Sequence, residues 1–142
     1  AGRTGLEYLR AIASGELPPP PIAVTMRLAP VLVEEGRATF QGTPGEEHFN
    51  PIGTVHGGWV ATLLDSAMGC AVHTTLPAGV GYATQTLELK YVRPISIESG
   101  ALTCAAEVVH SGRRQATAEG RLTDAQGRLY AHGTTTCMIL RG

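Results

Sequence analysis

The segment that most constrains this chain is residues 57–75, its one long helical candidate, which carries a single carboxylate, Asp65. Trp59, Leu63, Ala67 and Ala71 recur at four-residue spacing, with Val60, Leu64 and Met68 beside them, so the apolar face is wide. A helix of this kind needs cover over much of its circumference, and what remains of the chain to supply that cover reads mainly as strands.

Two β-prone runs, 26–33 and 36–41, are joined at Glu34-Glu35-Gly36 and read as a hairpin. After the helix come strand candidates at 82–92, 101–110, 114–123 and 129–140; Asp124-Ala125-Gln126-Gly127 is a turn between the last two. Ahead of all of these, residues 4–13 have helical spacing, and Thr4 with Glu7 has the form of a capping box. Gly15 and the prolines of 18–21 then forbid continuation and predict a rigid polyproline connector. The order is helix, two strands, long helix, four strands. It predicts an α+β fold in which a curved antiparallel sheet wraps one central helix. Residues 1–142 are expected to form a single domain, with 1–21 as N-terminal helix and Pro-rich connector.

Hydrophobic content of 43% with 16% charged residues fits a folded globular chain. A net charge of −1 gives no basic field for nucleic acid or an anionic membrane surface, so neither is an expected partner. No apolar run approaches the roughly 18 residues that span a bilayer, and no signal-type apolar region follows Arg3. The cytoplasm is therefore the expected compartment. Cys70, Cys104 and Cys137 are widely spaced, form no CxxC pair, and read as buried free thiols. His48, His56, His73, His110 and His132 show no ligand spacing, so no metal is expected.

The start of the long helix is the chemical feature. His56-Gly57-Gly58 places two glycines where they are cheap, in the first turn, rather than in a helix interior where each costs ~1 kcal/mol relative to Ala. First-turn N–H groups lack intrahelical acceptors and sit in the positive end of the helix dipole, a suitable place for a carbonyl developing negative charge. Asp65 lies off the core stripe among Gly58, Ala61, Thr62 and Gly69, small residues that let another backbone approach. Taken singly, these features also read as a plain glycine-rich helix start and a solvated acid. Gly57 and Asp65 are separated by ~12 Å at ~1.5 Å per residue, too far to act on one carbonyl within one helix. A two-fold dimer with antiparallel helices would bring them together across subunits.

The run Asn50…His56-Gly57-Gly58…Asp65 resembles the motif of hot-dog-fold acyl-CoA thioesterases of the phenylacetic acid degradation type, close to the 4-hydroxybenzoyl-CoA thioesterases. Tyr91-Val92-Arg93-Pro94 and His110-Ser111-Gly112-Arg113 also look like strand ends of that family. The resemblance implies a hot-dog fold, a homodimer and commonly a dimer of dimers, and an acyl-CoA substrate with no cofactor beyond the CoA it carries. It implies that the Gly57 N–H polarises the thioester carbonyl and that Asp65 is nucleophile or general base. Asn50 would orient water or the carbonyl, and His56 would hold the loop. Gly58, Thr84 and Gln85 are candidates for lining the substrate channel, and Arg93, Gly112 and Arg113 for meeting CoA phosphates.

Two alternatives remain at this level. His48-Phe49-Asn50-Pro51 faintly resembles the His-Phe-Pro loop of hot-dog dehydratases acting on hydroxyacyl thioesters. A non-catalytic acyl-CoA-binding module is the other, though it has no use for Asn50, Gly57 and Asp65 together.

Overall fold

The computed structural model describes residues 2–141, so the outermost residue at either end of the expected 1–142 domain lies outside the described residues. The long helix forms as α3, Gly57–His73. Trp59, Val60, Leu63, Leu64, Ala67, Met68, Ala71 and Val72 are all buried in one core with residues from the sheet. A fully buried leucine contributes roughly 1.5–3 kcal/mol of transfer free energy, so this stripe is the main reason for the sheet to close around the helix.

Six strands do so: β1 (Leu28–Glu34), β2 (Arg37–Gly42), β3 (Val80–Tyr91), β4 (Leu102–Ser111), β5 (Gln115–Thr123) and β6 (Leu129–Arg141). They pair antiparallel in the spatial order β1-β2-β4-β5-β6-β3. Register shifts between Pro30 and Leu32, Thr84 and Thr86, and Val108 and His110 bend the sheet. This is the expected hot-dog architecture. Both expected hairpins are present: Glu34 pairs with Arg37, and Gly36 takes φ 79° in the turn. At the other turn the Asp124 carboxylate accepts N–H groups of Gln126 and Arg128, the Arg128 guanidinium and the Tyr130 hydroxyl. Burial alone would raise its pKa; these donors outweigh it and hold the group at about 2.

Helix α1, Gly5–Ala13, has the expected capping box between Thr4 and Glu7. The polyproline connector needs correction, because Pro21–Met26 is a short helix, α2, with Pro20 as its extended cap. A proline in the first helical position loses no hydrogen bond, since that N–H has no partner in any helix. The helix ends at Arg27, which is left-handed at φ 58°. Helix α3 also stops short of the expected residue 75. Thr74 and Thr75 instead turn their hydroxyls back onto the carbonyls of Ala71 and Val72. Among the described residues, no helix is long and apolar enough to cross a membrane.

Candidate active site at the start and middle of the central helix

The loop before α3 is fastened on both sides. Val55 N–H donates to Ile95 O at 2.9 Å, and His56 N–H to His48 O at 2.8 Å. Asn50 stabilises this loop from within: its Oδ1 accepts from the N–H groups of Ile52 and Thr54, and its Nδ2 donates to Thr54 Oγ1 at 2.8 Å. Asn50 thus braces its own loop and keeps one amide hydrogen uncommitted. His48 is buried under the Trp59 ring. Gly45 N–H donates to its Nδ1 at 2.9 Å, so its Nε2 carries the proton and donates to Thr25 O at 3.0 Å.

His56 is the N-cap of α3, and its Nδ1 accepts the Gly58 N–H at 2.7 Å. Gly58 is thus not an open donor. The Gly57 N–H has no acceptor among the described residues and stands free at the positive end of the helix. The Gly57 carbonyl accepts the Tyr91 hydroxyl at 2.7 Å. Beside it is a pocket of about 270 Å³ whose lining includes Val55, Gly57, Val60, Tyr91, Arg93 and Ile95. Arg93 is exposed, with its guanidinium 5.7 Å from the Tyr130 ring centroid.

Midway along α3, half-buried Asp65 accepts the Thr84 hydroxyl on Oδ1 at 2.9 Å, and Oδ2 has no partner among the described residues. Tyr82, two positions back on β3, lies over Gly69; a Cβ there would come within 2.9 Å of the ring. Burial, and then the charges of Cys70 and Asp65, push the Tyr82 hydroxyl above its usual range. Burial with Asp65 beside it pushes the Cys70 thiol up to about 12, and burial likewise raises Cys137. Both thiols stay protonated near neutral pH and are poor nucleophiles.

The structure thus gathers His56, Gly57 and Arg93 at one place and Asp65 with Thr84 at another, ~12 Å apart along the helix. Gln85 belongs to neither, because the bulge in β3 leaves its amide bonded to Gln115 at 2.9 Å. Gly112 and Arg113 lie at the opposite end of α3 from Gly57: neighbouring Ser111 is 3.4 Å from Thr75, and Gly112 N–H donates to Gln115 O. Tyr91 and Tyr82 were missing from the expected site. Strand alternation groups Tyr82 with Thr84, but the bulge is what returns Tyr91 to the helix-facing side.

The model of the thioesterase superfamily matches residues 52–131, more than half of the chain and including all of α3. The chain belongs to this superfamily. Human acyl-coenzyme A thioesterase 13 is 34% identical over 92 residues, 64% of each chain. The chain thus spans just under two thirds of the length of that curated relative. Among solved structures, a phenylacetic acid degradation-related protein from Ralstonia eutropha matches with a TM-score of 0.83 and 30% identity over 92% of this chain and 98% of that one. The PaaI protein of the E. coli phenylacetic acid degradation operon has a TM-score of 0.82 at 20% identity over 94% of each chain, a likeness of fold.

Proposed function

We propose that this protein hydrolyses acyl-CoA thioesters at a site shared between two subunits. The observation that carries this reading is the pairing of an unsatisfied Gly57 N–H with an uncommitted Asp65 Oδ2 on one helix, too far apart to serve one carbonyl. The relatives named for acyl-CoA thioester hydrolysis support the substrate class.

Strand β3 supports the dimer. It is the 12-residue edge of the sheet, and Leu87, Tyr91 and the following Val92 are exposed. An edge of this length is a template for pairing with another chain. Two-fold pairing there sets the two α3 helices antiparallel and turns Asp65 of the partner subunit toward Gly57. The thioester oxygen receives the Gly57 N–H, which stabilises the charge that develops as the carbonyl carbon is attacked. The carboxylate either takes a proton from water as the water oxygen bonds to that carbon, or attacks it directly and is freed by water afterwards. In both routes the C–S bond breaks, the CoA sulfur leaves and is protonated, and the acid is released. Arg93 lines the pocket at Gly57, and Arg113, in the β4–β5 turn beyond the other end of α3, would reach the same side from the partner subunit, so both are candidates for CoA phosphates. A further pairing of dimers is compatible with this site and not required by it.

The dehydratase reading loses support at His48, whose two ring nitrogens are both spent inside the fold. Release of free thiol from aryl-, short-chain and long-chain acyl-CoAs tests the activity and identifies the acyl group. Mixing two inactive chains tests the sharing. Gly57→Pro removes the N–H at a position where proline suits a helix, after an extended His56, and Asp65→Ala removes the carboxylate. Mixed dimers regain one intact site and turnover returns; no recovery would place both groups in separate, self-contained sites and sink the shared one.

A further inference from the structure

The Gly57–Gly58 peptide is held from both sides. Its carbonyl oxygen accepts the Tyr91 hydroxyl at 2.7 Å, and its N–H donates to His56 Nδ1 at 2.7 Å. This matters because two successive glycines at a helix start have the least restricted backbone available. Without an anchor, the first turn would fray and the direction of the Gly57 N–H would wander with it. The Tyr91 ring also covers Gly57, lying 3.4 Å from where a Cβ would project. Tyr91 is the last residue of β3, and Thr84 of the same strand is the donor to Asp65. One strand therefore touches both Gly57 and Asp65 of its own chain, each of which serves a different one of the two shared sites.

Resting on the thioesterase reading above, we infer that Tyr91 is a positioning residue that fixes the Gly57–Gly58 peptide, so that the Gly57 N–H points at the carbonyl oxygen of the substrate. Its action passes through the backbone. The hydroxyl is engaged with the Gly57 carbonyl and is not itself aimed at the reacting atoms. A displaced donor stabilises the transition state less, and a misplacement of ~1 Å costs up to about a hundredfold in rate. Ground-state binding of the acyl and CoA portions does not depend on that donor to the same extent.

The test is Tyr91→Phe, which keeps the ring over Gly57 and deletes only the hydroxyl. The expected result is a fall in kcat of about ten- to a hundredfold, while the Kd of a non-hydrolysable thioether analogue of acyl-CoA stays within about twofold. The amides of Gly57 and Gly58 become more mobile by NMR relaxation in the same variant. Combining Tyr91→Phe with His56→Ala gives a loss smaller than the product of the two single losses, since both groups hold one peptide. An unchanged kcat overturns the inference. So does a loss confined to analogue affinity, which makes Tyr91 a substrate contact instead. A wild-type protein inert toward every acyl-CoA overturns the thioesterase reading and this inference with it, whereas an active wild type with a fully active Phe variant overturns this inference alone.

Discussion

The two ends of α3 are built on opposite terms. At the C-terminal end the polar groups are sealed in. Buried Thr74 accepts the Gly36 N–H at 2.7 Å and donates to Ala71 O at 2.6 Å, and Gly5 N–H donates to Leu76 O at 3.0 Å. Gly5 brings α1 so close that an added Cβ would run into the carbonyl of His73. At the N-terminal end a histidine cap satisfies the Gly58 N–H, and the preceding one, of Gly57, is left unused beside a pocket. The difference teaches how the fold divides its polar groups: the closed end anchors the helix, and the open end carries an unmet donor.

The sharpest way to break this contrast is Asp65→Ala. Turnover is expected to fall by about 10³-fold or more, within the span attributed to a general base or nucleophile, while acyl-CoA still binds. Because Ala is the better helix former, the urea midpoint should hold or rise; a large loss of stability would make Asp65 a structural residue. Next in size is Gly5→Ala at the closed end. Ala favours a helix, yet the collision with the His73 backbone should cost about 1–3 kcal/mol in urea unfolding and leave kcat per folded molecule nearly unchanged. If turnover fell as steeply as at Asp65, the two ends would not be separable. A smaller loss of stability than at Gly5 is expected at His56→Ala, where losing an exposed cap should cost roughly 0.5–1 kcal/mol. Its kcat should still fall by more than that small destabilisation accounts for, read from single-turnover rates alongside the unfolding midpoint.

Much of the fold was legible in advance because it rests on local periodicity. Trp59, Leu63, Ala67 and Ala71 announce the buried face of α3, and Gly36 and Gly127 mark their turns. Gly57 was legible as an open donor, since any helix start leaves N–H groups over. The capping of the Gly58 N–H was not legible, because the reach of His56 Nδ1 back to it is a matter of side-chain rotamer and not of spacing. The loop bonds of Asn50 were hidden likewise, because whether its amide turns into the loop or out of it depends on Thr54. The helix at Pro21–Met26 was hidden by a proline run whose last member serves as a helix start.

By itself, the sequence determined that one apolar helix must be wrapped by strands, and that Gly57 and Asp65 cannot meet within a chain. Both follow from the repeat and rise of a helix, which are local properties of the backbone. Only the tertiary structure decided that β3 would leave its sequence neighbours to pair with β6 at the sheet edge, and that a bulge at Gln85 would turn Tyr91 onto Gly57. Strand order and bulges are settled by contacts between distant parts of the chain, and a one-residue slip exchanges the two faces of a strand.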